Sequence, residues 1–202
     1  NGWRCLIVVF PLFFLAGCSR KPVAQVQRPA QLRVYARRGL DAMRKGQYVQ
    51  ARKYYSQGLR LSPSNCQLNF LNGMSYHMQG RYGDMKLLKL AGVGYQVAIR
   101  GCPRDPWPRY YYALLRMDQK DFAEAETQLR QAVALDKKHA VPFLEAYLIA
   151  SYDNGDFSVA RKVYAHLKRL APHSRLVAIL AGQIPTASSS VYHPRTTHAA
   201  QT

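Results

Sequence analysis

Four cysteines and six histidines are the residues of this 202-residue sequence best suited to chemistry. Cys5 and Cys18 lie in or beside an apolar N-terminal run, whereas Cys66 and Cys102 stand in the body of the chain. The sequence contains no phosphate-binding loop and no C-x-x-C, G-x-S-x-G or H-E-x-x-H pattern. Its histidines are scattered, no second pair of ligands stands at zinc spacing, and the eleven acidic residues form no evident catalytic pair. We therefore expect a non-enzyme without a metal or cofactor.

The N-terminal run has the composition of a signal peptide. Arg4 precedes an apolar stretch over residues 5–17 that is interrupted by Pro11. The stretch is shorter than the ~20 apolar residues of a membrane-spanning helix. A basic residue, a short apolar region and small residues at its end are typical of a secretory signal. Residues 1–17 are therefore predicted to be a removable signal peptide.

The end of that signal adds a specific expectation. Leu15-Ala16-Gly17-Cys18 resembles the lipobox of bacterial lipoproteins. The resemblance implies cleavage before Cys18, acylation of this residue by palmitate or a similar chain, and, with Ser19 following, the periplasmic face of the outer membrane. An ordinary signal peptide with a chance cysteine is the alternative. The polar, proline-containing residues that follow predict a lipid-anchored tether over residues 18–31.

The body of the chain repeats one spacing of small, aromatic and proline residues with a period of ~34 residues. The recurring positions include Gly46, Tyr48, Ala51, Tyr55 and Pro63; Phe122, Ala125, Leu129 and Ala132; and Gly155, Phe157, Ala160, Tyr164 and Pro172. This spacing resembles the tetratricopeptide repeat family over about residues 32–172. The resemblance implies an all-α, right-handed α-solenoid with units at about 32–65, 66–105, 106–140 and 141–172. We expect a capping helix over residues 173–184 and a disordered tail over 185–202.

The second unit departs from the repeat by six extra residues between Tyr82 and Ala91. These residues either lengthen the turn or extend the second helix. The repeat also places Cys66 at the start of the first helix of this unit and Cys102 just after its second helix. Because the two helices would be antiparallel, these ends would be neighbours, and export would permit a disulfide between them. Two free, half-buried thiols are the alternative.

In this family the first helices of the units line a concave groove, so the resemblance also implies a binding surface. The corresponding positions are Arg33, Arg37, Phe70, Met74, His77, Trp107, Tyr110, Tyr111, Leu114, Glu145 and Tyr152. They are mostly aromatic and apolar, which suits a partner helix or an extended peptide. The alternative is that part of this set is core between repeats, as we expect for Tyr112.

The net charge of +18 is concentrated in the first half of the chain. Residues 19–83 contain 12 lysines and arginines but one acidic residue, Asp41. Such an imbalance favours an anionic partner, and a solvated basic face is the alternative. The cations nearest the tether suit an anionic membrane or an acidic protein: Arg38, Arg44, Lys45, Arg52 and Lys53. Nucleic acid is not expected, because export and the lack of a stacking motif both disfavour it.

Similar repeat lipoproteins serve as pilotins and pilus-assembly factors. The resemblance therefore implies a scaffold or assembly factor that is anchored in the outer membrane and binds a protein of a pilus or secretion machine. An adaptor that regulates enzymes of cell-wall or outer-membrane biogenesis is the alternative.

Overall fold

The computed structural model describes residues 23–184, with side chains from residue 29. These residues form nine α-helices and no strand. The helices are α1 (Val23–Arg44), α2 (Tyr48–Leu61), α3 (Cys66–Gly80), α4 (Met85–Gly101), α5 (Pro106–Asp118), α6 (Phe122–Leu135), α7 (Ala140–Asp153), α8 (Phe157–Leu170) and α9 (Arg175–Leu180). The predicted signal peptide, lipidation site and tail lie outside the described residues.

Consecutive helices pack in pairs, which confirms the predicted all-α solenoid. The pairs are α1–α2, α3–α4, α5–α6 and α7–α8, and each pair packs on the next. The short helix α9 covers the end of the stack with Val177 and Leu180, which are buried. Because a helix pair cannot bury its apolar face alone, stacking and a terminal cap are what create a continuous core.

Alanines at one repeated position set the close approach of the helices. Ala51, Ala91, Ala125 and Ala160 lie in the second helices of the four units, and each is 0% exposed. A larger side chain at this position would separate the paired helices, because protein interiors are packed at crystal-like density. The spacing of these alanines in the sequence therefore indicates where the paired helices touch.

In three units, the turn between the two helices contains a residue with a left-handed backbone conformation. Gly46 (φ 71°) and Gly155 (φ 78°) occupy the turns of the first and last units, and Lys120 (φ 61°) occupies the turn of the third. Glycine adopts this conformation without steric cost, whereas lysine does not. Helices α6 and α8 then begin at side-chain caps, Asp121 and Asp156, whose carboxylates accept the N–H groups of Glu124 and Val159.

The six-residue insertion both extends the second helix and lengthens the turn. Helix α4 has 17 residues, whereas α2, α6 and α8 have 14 each. The turn before α4 spans residues 81–84 and contains Gly83 at φ 111°. Asp84 then caps α4 by accepting the N–H groups of Lys86 and Leu87. The two alternatives drawn from the sequence are thus combined.

Helix α1 begins earlier than the repeat spacing indicates. It starts at Val23, inside the segment predicted to be a tether, and continues through Pro29. No helix among residues 23–184 is long and apolar enough to cross a bilayer.

Candidate functional site

The first helices of the units form one continuous surface. Beyond helices adjacent in sequence, the contacts between units join α1 with α3, α3 with α5, and α5 with α7. In a curved stack, the row of helices that approach most closely lies on the inside of the curve. The predicted groove residues lie on this inner row.

Four half-buried rings form a connected line across α3 and α5, here called the aromatic row: Phe70, Tyr111, Tyr110 and Trp107. The ring centroids of Phe70 and Tyr111 are 5.4 Å apart, those of Tyr110 and Tyr111 5.3 Å, and those of Trp107 and Tyr110 5.9 Å, all edge to face. Such pairs contribute about 0.5–1.5 kcal/mol each beyond the area that they bury. The row is therefore rigid before any partner binds.

Helix α7 fixes the far end of the aromatic row. Phe143 is fully buried, and its ring centroid lies 5.1 Å from that of Trp107 and 5.2 Å from that of Tyr110. Phe143 is not among the groove positions predicted from the repeat. Phe143 thus packs against both rings, which themselves stay partly exposed.

The other predicted groove residues have different surroundings. Met74 and Leu114 are half-buried against the core, and Arg33 and Arg37 are exposed on α1. The carboxylate of Glu145 accepts the hydroxyl of Ser174, 2.6 Å away, and Tyr152 packs on Phe157 with centroids 5.5 Å apart. Glu145 and Tyr152 therefore hold neighbouring elements in place. Tyr112 is buried, as expected.

His77, predicted as a groove residue, lies beneath the groove surface at 1% exposure. Its Nδ1 is 3.1 Å from the Tyr95 hydroxyl, and its Nε2 is 2.9 Å from a carboxylate oxygen of Asp118. Arg81 contacts the same carboxylate at 3.2 Å. His77 thus joins α3 to α4 and α5 and is unavailable to a ligand, because both of its ring nitrogens already have partners.

The buried imidazole makes stability depend on pH. Burial lowers the pKa of His77 and outweighs the hydrogen bond and charge of Asp118, which raise it. The unfolded chain then binds the proton more tightly, so this contribution to stability is present above the unfolded pKa of about 6.5 and is lost as the pH falls through it. We expect His77→Gln to cost about 1–3 kcal/mol at pH 8 and less at pH 5. Urea unfolding at both pH values measures this difference.

His166→Gln provides the control, because His166 is a half-buried histidine of α8. The change in the free energy of unfolding that it causes at each pH is subtracted from that of His77→Gln. An effect of His77→Gln that does not change with pH would contradict the assignment.

Cys66 and Cys102 form a disulfide, with their Cα atoms 5.9 Å apart. Cys66 is the first residue of α3 and Cys102 follows the last residue of α4. The bond therefore joins the two helix ends opposite the lengthened turn.

The predicted basic patch contains exposed cations and one that packs within the solenoid. Arg38, Lys45 and Lys53 are exposed, and Arg44 forms an exposed ion pair with Asp41 at 3.3 Å. Arg52 instead lies over the Tyr76 ring, 4.6 Å from its centroid, and reaches the carbonyl oxygen of Ser75 at 3.5 Å. Arg52 thus belongs to the contact between the first two units. Among the described residues no group of three or more His, Cys, Asp or Glu side chains could hold a metal ion.

Two segments of the sequence match the tetratricopeptide repeat family, residues 32–65 and residues 113–175. The protein contains tetratricopeptide repeats. The second match covers most of the third unit, all of the fourth and the first residue of α9. Tetratricopeptide repeats are in general protein-interaction scaffolds. No curated protein sequence is significantly similar to the chain.

Solved structures share this tetratricopeptide fold at low sequence identity. PilF of Pseudomonas aeruginosa matches with a TM-score of 0.67 and 19% identity, over 77% of this chain and 70% of PilF. MamA matches with a TM-score of 0.64 and 16% identity, over 77% and 84% of the two chains. PilW, a widely conserved type IV pilus biogenesis factor, matches with a TM-score of 0.60 and 14% identity, over 78% and 67%. At these identities the likeness shows the fold alone.

Proposed function

We propose that this protein is an assembly scaffold of a bacterial envelope machine, a pilus or a secretion system, and that it binds a protein partner along the aromatic row. The observation that carries the proposal is the connected line of half-buried rings across the inner helices. Rigid aromatic side chains are the usual anchors of protein interfaces, because they bury a large area and lose little conformational freedom.

The composition of the surface specifies the partner's chemistry. The aromatic row, with Met74 and Leu114 beside it, offers apolar area, whereas Arg33 and Arg37 lie exposed at the α1 end. A helix with an apolar stripe, or an extended segment with apolar side chains, fits this surface, and acidic residues at one end would meet the two arginines. The structural likeness to PilF and PilW supports a role in pilus assembly.

The location of the scaffold is part of the proposal. Residues 1–17 would direct export, and acylated Cys18 would hold the mature chain on the periplasmic face of the outer membrane. Multiple acyl chains anchor a protein stably, because each buried methylene contributes about 0.8 kcal/mol. The mass of the mature N-terminal peptide tests this anchor.

Trp107→Ala is expected to weaken partner binding at least tenfold, since truncation of an aromatic anchor that packs against a partner costs about 2 kcal/mol or more. The measurement is quantitative crosslinking and co-purification from envelopes that contain the full chain, with the melting temperature recorded in parallel. Pilus or secretion components lost in the variant would support the proposal.

Tyr54→Ala is the matched control, because Tyr54 is a half-buried ring on α2, outside the aromatic row. It should leave recovery of the partner unchanged. If Trp107→Ala recovers as much partner as the wild-type protein does, binding along the aromatic row is contradicted. A set of partners made only of cell-wall enzymes would favour the adaptor function instead.

A further inference from the structure

The outer side of the second unit carries large apolar side chains that no other part of the described solenoid covers. Tyr82 is 92% exposed in the turn before α4, and on the helix Met85 is 55%, Leu90 47% and Val93 58% exposed. In α6 and α8 the large exposed apolar residue is the last residue of the helix, Leu135 or Leu170. Exposed apolar residues in mid-helix are therefore particular to α4 among these outer helices.

Two lysines accompany these apolar residues. Lys86 and Lys89 are exposed on α4, and with Tyr82, Met85, Leu90 and Val93 they are here called the α4 outer patch. Asp84 is the single acidic residue between residues 42 and 104, and its carboxylate caps α4. Lys86 and Lys89 outnumber this one acid, so the stretch that carries the α4 outer patch has a net positive charge.

The preceding unit extends the positive surface. On α2, Lys53, Arg60 and Val49 are exposed and line one shallow depression together with Ser56 and Gln57. Helix α2 contains no acidic residue. The second helices of the first two units therefore present cations and scattered apolar side chains outward, whereas α6 contains Glu124 and Glu126.

We propose that the α4 outer patch binds the surface of an anionic phospholipid bilayer, with α4 lying parallel to the membrane. Apolar side chains beside lysines on one helix face are typical of helices that lie in the headgroup region. The methylene stems of Lys86 and Lys89 would lie along apolar surface while their ammonium groups reach phosphates. The Tyr82 ring, with an apolar body and a polar hydroxyl, suits the same depth.

This geometry is independent of the partner site. The α4 outer patch is on a second helix, whereas the aromatic row is on the first helices α3 and α5. A chain that lies on the membrane through α4 therefore leaves the inner surface open to a protein. Membrane binding through α4 also does not require acylation of Cys18, because the α4 outer patch belongs to the folded second unit.

Flotation of the full chain with lipid vesicles tests the proposal. We expect binding to phosphatidylcholine vesicles that contain about 30 mol% phosphatidylglycerol to be at least tenfold stronger than to phosphatidylcholine alone, and to weaken with salt. Lys86→Glu with Lys89→Glu should reduce the stronger binding at least tenfold. Leu90→Asn with Val93→Asn should do the same at an unchanged melting temperature.

Lys137→Glu with Lys138→Glu makes the same change in net charge on the exposed α6–α7 loop, and we expect it to leave binding within twofold. Equal binding by all variants would overturn the proposal, since the N-terminal segment would then carry the interaction. Equal losses in this control would also overturn it, because net charge alone would explain them. Binding to an acidic soluble protein, without a preference for vesicles that contain phosphatidylglycerol, would overturn the proposal as well.

Discussion

Replacement of both Cys66 and Cys102 by serine is expected to lower the free energy of unfolding by about 4 kcal/mol. The two cysteines are 36 residues apart in sequence, and a closed loop of that length removes about this much conformational freedom from the unfolded chain. The bond also joins helix ends in the unit that carries the insertion, so its loss should first loosen α3 against α4. Denaturant unfolding with and without reductant measures the effect.

The double variant supplies the control for this experiment. Reductant should destabilise the wild-type protein by about the same amount and leave the double variant unchanged. Identical unfolding of the wild-type protein with and without reductant would contradict a stabilising disulfide, and alkylation of two free thiols in the non-reduced protein would exclude the bond itself.

Gly94→Ala should destabilise the protein by about 1–3 kcal/mol, because α3 and α4 touch backbone to backbone at this position. A Cβ atom on Gly94 would lie 2.8 Å from the Cα atom of Gly73 and 2.9 Å from the carbonyl oxygen of Asn69. Neither backbone atom can move aside without separation of the two helices. Thermal or urea unfolding measures the loss.

Gly92→Ala is a matched control on the same helix. Its Cβ atom would meet its nearest neighbour, the side chain of Leu115, at 3.6 Å, which is an ordinary contact. Because alanine favours a helix interior over glycine, this variant should be more stable by about 0.5–1 kcal/mol. If both substitutions shift stability in the same direction, the close helix approach at Gly94 is not what limits packing.

The repeat spacing predicted the helical architecture because it records packing that is local in sequence. Alanine at 51, 91, 125 and 160 follows from contacts inside each helix pair, and three of the four pairs also repeat a left-handed turn residue. The length of α4 could not be predicted, since six extra residues fit a longer turn or a longer helix equally well.

The surroundings of individual groove residues were less predictable, because they depend on contacts between units. His77 matches a groove position, but it is buried by Tyr95, 18 residues away, and Asp118, 41 residues away. No local spacing links these three residues. Arg52 was likewise predicted to be a surface cation, but its guanidinium lies over the ring of Tyr76 in the next unit. Phe143 carried no signal beyond its apolar character, since its role depends on Trp107 and Tyr110.

The disulfide between the ends of α3 and α4 also has a mechanical consequence. A scaffold attached at one end to a membrane and elsewhere to an appendage would be pulled along its chain. Tension that reaches Cys66 would pass directly to Cys102 through the covalent bond and bypass the helix pair between them. The two cysteines are 36 residues apart in sequence. At about 3.4 Å per extended residue, the disulfide therefore prevents roughly 120 Å of chain from being pulled out. The second unit would then keep its shape under loads that extend its neighbours.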